Sequence, residues 1–166
     1  MIICSIATFL SLISFQVLGP FHKSFSSVVG PNGSGKSNVI DGMLFVFGYR
    51  AQKTRSKKIS NLIHNSEKYP NVQSCSVAVH FEKIIDINDD DFEIVPDTQL
   101  VVSRTVYKDN TSFYTVNGKR CQFKAVAKLL RSEGIDLDHN RFLILQGEVE
   151  QISMMKPKGM TEHDTG

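Results

Sequence analysis

The chain has 166 residues, 41% apolar and 22% charged, and its 19 Lys and Arg against 17 Asp and Glu give a net charge of +2. This length is typical of a single domain, and the composition excludes a fibrous or wholly disordered chain. So small a charge excess gives no argument for nucleic acid as a partner. The three cysteines, Cys4, Cys75 and Cys121, lack the spacing of a zinc site or a disulfide framework, which favours a reducing, intracellular compartment.

The N-terminal segment, residues 1–16, is apolar and belongs to a stretch, residues 1–22, without any charged side chain. A signal anchor or a signal peptide is one interpretation of such a run. The run has no basic n-region, however, and the sequence Val17-Leu18-Gly19 is a poor cleavage site. We therefore favour a buried strand, or a segment translated from a non-standard start, over a membrane segment.

The next part of the chain is predicted to form a strand and then a helix. Residues 25–29 have the composition of a short buried strand, which Gly30 closes. Apolar residues at helical spacing predict an amphipathic helix from Ser37, and Gly48 is a natural C-terminal stop. Residues 59–64 are expected to form one further helical turn.

Alternating apolar and polar residues predict strands farther along, at residues 74–84, 100–107 and 112–116. Asn117-Gly118 is the signature of a type I′ turn, which reverses the chain after the third of these strands. A helix is predicted next, and Gly134 ends it. Strands and helices are therefore mixed, which indicates an α/β fold.

The clearest chemical motif lies between the first predicted strand and the first predicted helix. It matches G-x-x-x-x-G-K-[ST] in full and consists of Gly30, Pro31, Asn32, Gly33, Ser34, Gly35, Lys36 and Ser37. Glycines let successive N–H groups point inward at phosphate oxygens, and the following helix adds about half a positive charge at its start. Lys36 would reach the β- and γ-phosphates, and the Ser37 hydroxyl would hold Mg²⁺. The motif predicts binding of ATP with Mg²⁺; the alternative is a glycine-rich turn that matches by chance.

Charge is distributed unevenly along the chain. Residues 88–91 form an acidic turn, which we expect to be solvated because it lacks the ligand spacing of a calcium loop. A basic run follows the first predicted helix and consists of Arg50, Lys53, Arg55, Lys57 and Lys58. Such a run is usually a solvated loop, but behind a nucleotide site it would also suit DNA phosphates or nucleotide sensing. The residues alone leave these interpretations open.

The carboxylate that P-loop enzymes place at the end of an apolar strand is not evident. The apolar run at residues 142–145 ends in Gln146, not Asp. The run at residues 77–81 ends in Glu82, but its alternation and His80 predict a half-exposed strand there. Taken by itself, the chain is predicted to bind ATP and to be poorly equipped to hydrolyse it.

Two segments, residues 19–66 and 134–159, resemble the N-terminal head segment of the structural maintenance of chromosomes (SMC) family, and most of all its condensin subunits. The resemblance extends from Val17 to about Thr165 and includes Asn38 directly after the phosphate loop. It implies the N-terminal lobe of an ABC-type ATPase head over residues 17–147, with the coiled-coil arm beginning at 148–166. Residues 1–16 do not resemble the opening strand of the family.

The resemblance also implies roles for residues. The phosphate loop would be the Walker A motif, and Gln146 would be the Q-loop glutamine, a catalytic residue that contacts Mg²⁺ and the attacking water. Arg55 matches the arginine-loop position, which couples nucleotide to DNA and favours a DNA-binding role for the basic run. The signature motif, the Walker B acids, the switch histidine and the hinge are not found in this sequence. An incomplete gene model or a truncated product would explain these departures.

The implied function is that of the ATP-binding part of a condensin-type ATPase in chromosome condensation. Its partners would be DNA, a C-terminal lobe and a second SMC head of the condensin complex, with no membrane. The location would be the nucleus and chromosomes, with a cytoplasmic pool. Two alternatives remain at this point: a small stand-alone P-loop kinase with Glu82 as its acid, and a non-enzymatic fragment that binds DNA or caps another head.

Overall fold

The computed structural model describes residues 2–11, 14–48, 59–63, 67, 70–88, 91–135, 137, 143–144 and 154, with side chains described from Val17 onward. The elements in chain order are β1 (Ile2–Ser11), β2 (Ser14–Leu18), α1 (Lys36–Val46), a 3₁₀ turn (Ile59–Leu62), β3 (Ser74–Asp86), β4 (Phe92–Ile94), β5 (Leu100–Tyr107), β6 (Ser112–Val116), β7 (Lys119–Cys121) and α2 (Phe123–Ser132). None of the described helices is both long enough and apolar enough to cross a membrane.

The described strands form one antiparallel sheet in the order β2-β1-β3-β5-β6-β7, and β4 pairs with the end of β3. The central strand β3 alternates strictly: Cys75, Val77, Val79 and Phe81 are buried, and the residues between them are half-exposed. One face of the sheet is therefore covered and the other faces outward, as is usual for antiparallel sheets.

Both helices pack on the same face of the sheet. The second half of α1 is buried, and Phe45 and Val46 join Val102 of β5 in the core. From α2, Val126 and Leu130 are fully buried in the same cluster. The core thus holds α1, and with it the loop that precedes α1, against the sheet.

Several predictions from the sequence are confirmed. The strands at residues 100–107 and 112–116 have the expected limits, and the one predicted at 74–84 extends to Asp86. Asn117 and Gly118 have φ of 46° and 78°, and Val116 pairs with Lys119, as a two-residue type I′ hairpin requires. Gly48 and Gly134 follow the two helices with positive φ.

The strand predicted at residues 25–29 is wrong. This segment has no regular structure, and Phe25 and Val29 are 70% and 84% exposed. A strand needs hydrogen-bonding neighbours, and the described sheet pairs β1, not this segment, with β3. The helix α1 also differs from the prediction, because residues 42–46 are buried on all sides rather than on one stripe.

The N-terminal segment forms two strands, β1 and β2, instead of the single buried strand that the sequence suggested. β1 pairs with β3 and β2 pairs with β1, both antiparallel. The predicted coiled-coil start at residues 148–166 lies outside the described residues, apart from Met154.

Candidate nucleotide-binding site

The phosphate loop lies exposed at the N-terminal end of α1. Gly33 and Gly35 have φ of 82° and 91°, in the left-handed region that favours glycine. A Cβ on Gly30 would lie 2.8 Å from the Oγ of Ser34, so this glycine lets the loop close on itself. The loop therefore uses its glycines for the backbone conformation that the motif predicts.

Several N–H groups of the loop remain available to a ligand. Within the loop, Ser34 N–H donates to the Pro31 carbonyl at 3.3 Å, and Asn38 N–H donates to that of Gly35 at 2.9 Å. The N–H groups of Gly33, Gly35, Lys36 and Ser37 have no acceptor among the described residues, and α1 has no side-chain N-cap. Free N–H groups at a helix start suit a phosphate, so the residues present fit the predicted nucleotide.

Lys36 brings its positive charge to the same place. Its Nζ donates to the carbonyl oxygens of Gly30 at 2.6 Å and Pro31 at 2.7 Å. The ammonium thus lies beside the first residues of the loop, and the Ser37 hydroxyl follows one position later on the first turn of α1. Asn38 is next on that turn and holds the loop through its own N–H bond to Gly35.

A lysine that the sequence analysis did not select anchors the segment before the loop. The side chain of Lys23 is only 3% exposed and forms an ion pair with Asp86 at 3.2 Å. Its Nζ also donates to the carbonyl oxygens of Asn88 at 2.6 Å and Asp91 at 3.1 Å. The described ends of the acidic turn, Asn88 and Asp91, therefore accept hydrogen bonds from this ammonium group through their carbonyl oxygens. The excess of acidic residues in this turn was the only feature of the sequence that pointed to a cationic partner.

Arg104 holds the other end of α1 and was also missed from the sequence. Its Nη1 donates to the Phe45 carbonyl at 2.9 Å, and its guanidinium lies 4.5 Å from the Phe45 ring and 5.0 Å from the Tyr114 ring. Burial lowers the pKa of Arg104 and raises that of Tyr114 to about 12. A cation near a helix C-terminus compensates its partial negative charge, so Arg104 joins α1 electrostatically to the sheet.

Glu82 does not fit the role of a catalytic acid. On β3 it alternates with the buried Phe81, and Phe81 contacts the ring of Phe47 just after α1. The Glu82 side chain is therefore on the face of the sheet that points away from α1 and its loop. This placement argues against the stand-alone kinase interpretation.

Other predicted site residues cannot be placed. Gln146 and the basic run Arg50, Lys53, Arg55, Lys57 and Lys58 lie outside the described residues. Within the described part of the chain, no three His, Cys, Asp or Glu side chains come together as a metal centre. The described residues offer a phosphate the N–H groups of the loop and the ammonium of Lys36, and they contain no assembled group for hydrolysis.

Comparison with known proteins identifies the family. The family model described as "RecF/RecN/SMC N terminal domain" matches residues 3–140, so it includes most of the N-terminal segment that the sequence analysis set apart. "Structural maintenance of chromosomes protein 4" of Xenopus laevis is 69% identical over 158 residues. The match covers 95% of this chain and 12% of that protein, so the chain spans about an eighth of the relative's length.

Solved structures agree in fold. A chain from work on ATP-driven dimerisation and DNA-stimulated activation of SMC ATPases is 30% identical with a TM-score of 0.73, and the match covers 93% of both chains. The Smc head domain of Pyrococcus furiosus, bound to the C-terminal domain of ScpA, has the same identity and TM-score, with 94% of this chain and 39% of that chain covered. The described fold is therefore that of an SMC ATPase head, and the chain belongs to the RecF/RecN/SMC N-terminal domain family.

Proposed function

We propose that this chain is the ATP-binding N-terminal head segment of a condensin-type SMC ATPase that acts in chromosome condensation and DNA organisation. The observation that carries this proposal is the phosphate loop, with its free N–H groups and Lys36 at the start of α1. The sequence similarity to a relative named for chromosome maintenance supports the biological role and the nuclear, chromosomal location. A cytoplasmic pool is a further part of the proposal.

The nucleotide is ATP with Mg²⁺. The loop residues 30–38 would hold the phosphates, the Ser37 hydroxyl would be a ligand of Mg²⁺, and Gln146, by its resemblance to the Q-loop glutamine, would contact Mg²⁺ and the attacking water. When bound, Mg²⁺ neutralises charge on the phosphates. Hydrolysis requires a C-terminal lobe and a second SMC head, because the described residues bring no acid to the loop.

Exposed apolar side chains beside the loop support this requirement for further parts. Phe25, Val28 and Val29 are all exposed directly before the phosphate loop. Neighbouring large apolar groups at a functional loop are typical of a surface that another protein part covers. We assign this surface to the remainder of an SMC head. The basic run, with Arg55 in the arginine-loop position, contributes DNA contacts.

The first experiment measures ATP binding by the 166-residue chain by calorimetry. Lys36→Ala is expected to weaken binding about tenfold or more, since a charged hydrogen bond contributes about 1.5–3 kcal/mol. Lys119→Ala, which removes an exposed lysine on β7, is the matched control and leaves the affinity unchanged. Equal affinities for all three chains would contradict the assignment of the loop.

The second experiment measures ATP hydrolysis. The chain alone is expected to show no turnover, and addition of a C-terminal head lobe and a partner head produces turnover that Lys36→Ala abolishes. Robust turnover by the chain alone that depends on Lys36 would refute the proposal that the site is completed by other parts. ATP is expected to bind more tightly in the presence of Mg²⁺ than in the presence of EDTA, and Ser37→Ala should remove this difference.

A further inference from the structure

A pocket lies beyond the C-terminal end of α1, whereas the phosphate loop lies at its N-terminal end. It has a volume of about 500 Å³ and is lined by Gly48 just after α1, by Arg104 of β5, by β6 and β7, and by the start of α2. Because α1 has 11 residues, its length separates this pocket from the phosphate loop by about 16 Å. We call it the arginine pocket, after Arg104 and Arg120, which both line it.

The two arginines have no carboxylate partner among the described residues. Arg104 contacts the Phe45 carbonyl, the Ser112 hydroxyl and two aromatic rings. Arg120 lies 4.8 Å from the ring of Phe113. The two described ion pairs of the chain involve Lys23 and Lys83, not these residues.

The other titratable groups that line the pocket add no negative charge. Burial raises the pKa of Tyr114 to about 12 and also raises the pKa of the Cys121 thiol. Both groups are therefore neutral near pH 7, and the described lining carries two positive charges. A partly desolvated guanidinium without a counter-ion is costly, and an anion in the pocket would relieve that cost.

The geometry also leaves donors for such an anion. Arg104 uses three N–H groups, one from each nitrogen, in its bonds to Phe45 and Ser112. A guanidinium has five N–H donors, so two donors of Arg104 remain for a ligand. The planar group suits the paired oxygens of a carboxylate or phosphate. The rings of Phe113, Tyr114 and Phe123 supply apolar walls.

The pocket is closed on one side by a contact that only glycine permits. A Cβ on Gly48 would overlap the ring of Phe123, and Gly48 has a φ of 79°. The end of α1 and the start of α2 therefore approach closely here, and the ring of Phe123 packs against that of Tyr114 at 5.3 Å between centroids. The volume lies in the range of about 300–1,000 Å³ that is usual for small-ligand sites.

We propose that the arginine pocket binds an aromatic oxyanion, that is, a ring that carries a phosphate or a carboxylate. Arg104 and Arg120 hold the charged group, and the rings of Phe113, Tyr114 and Phe123 contact the apolar body. This site is separate from the phosphate loop and does not depend on the function proposed for that loop.

The test is an NMR titration of the full chain, with backbone amide shifts as the site-resolved signal. Phenyl phosphate and benzoate are the probes, and phenol is the uncharged control. The amides of Gly48, Ser112 and Gln122 are expected to shift with the anions, whereas the amide of Gly33 reports the phosphate loop separately. A response to phenyl phosphate alone assigns a phosphate ligand, and a response to benzoate alone assigns a carboxylate.

Variants decide whether the arginines carry the binding. Arg120→Ala, at an exposed position on β7, is expected to weaken binding about tenfold, as loss of a charged hydrogen bond predicts. Lys119→Ala removes the same charge from the neighbouring residue and leaves the affinity unchanged. Arg104→Lys keeps the charge but removes the planar fork, and it is also expected to weaken binding.

Three results would overturn the proposal. They are absence of shifts with both anions at millimolar concentration, equal shifts with phenol, and unchanged affinity in Arg120→Ala. None of these results affects the assignment of the phosphate loop, because that site is tested separately by the amide shift of Gly33 and by the ATP affinity of Lys36→Ala.

Discussion

Replacement of Lys23 by methionine tests whether the buried ammonium group holds the segment that leads into the phosphate loop. The variant keeps most of the length of the side chain and removes its charge and its three donors. Lys23 is 3% exposed and pairs with Asp86, which is 48% exposed. The carbonyl oxygens of Asn88 and Asp91 lose this donor at the same time, although that of Asp91 still accepts from the N–H groups of Ile87 and Asn88.

The magnitude follows from these contacts. Charged hydrogen bonds contribute about 1.5–3 kcal/mol each, but the two carbonyls lie in an exposed turn where water replaces part of the loss. The ion pair with a half-exposed carboxylate adds about 1 kcal/mol at most. We expect Lys23→Met to lower the free energy of unfolding by about 2–3 kcal/mol, and to weaken ATP binding because the segment before Gly30 is released.

Lys83→Met is the matched control. Lys83 also forms an ion pair, with Glu133 at 3.0 Å, but its side chain is 50% exposed. Exposed pairs contribute about 0.2–1 kcal/mol and are screened by salt. Urea unfolding followed by circular dichroism measures both losses, and calorimetry measures the ATP affinities. Equal losses in the two variants, or an unchanged ATP affinity in Lys23→Met, would refute the reasoning from burial.

Two further predictions concern the packing of the described core. Gly48→Ala should destabilise the fold by about 2–4 kcal/mol, because position 48 combines a positive φ with a Cβ that would overlap the Phe123 ring. Gly118 also has a positive φ, of 78°, but open space around it, so Gly118→Ala should cost about 1 kcal/mol. Denaturant midpoints compare the two variants, and equal losses of stability would show that the contact with Phe123 is unimportant. Burial raises the pKa of Cys75 to about 11, so near pH 8 its thiolate is about one thousandth of the total and alkylation should be much slower than at the less buried Cys121. Peptide mass spectrometry distinguishes the two sites, labelling of Cys75 should accelerate as the pH rises toward 11 or on unfolding, and faster reaction of Cys75 in the folded chain would be inconsistent with its burial.

Local chemistry explains why many elements could be predicted. Asn117-Gly118 favours a tight hairpin wherever two strands flank it, since both residues tolerate positive φ. The alternation along β3 predicts a strand with one buried face, and the structure has that face against α1. The phosphate loop carries its conformation in its own glycines, so its motif is informative without any knowledge of distant residues.

The wrong strand at residues 25–29 has the opposite cause. Its composition suits a strand, but a strand forms only where another strand offers hydrogen bonds, and composition carries no information about that neighbour. The same limit applies to Glu82. A carboxylate after an apolar strand matches the pattern of a catalytic acid, but the side of the sheet on which it lies depends on where α1 packs.

By itself, the sequence determined the phosphate-loop motif, the Asn117-Gly118 turn, both helices and the strands β3, β5 and β6, because these depend on residues that are close together in the chain. Tertiary structure alone decided which distant groups meet. It brings Lys23 to the β3–β4 turn, 65 positions away at Asn88, and Arg104 to the last turn of α1, 59 positions away at Phe45. Both contacts place a desolvated cation against backbone carbonyls, and such a partner is defined by its position in space and not by its residue type.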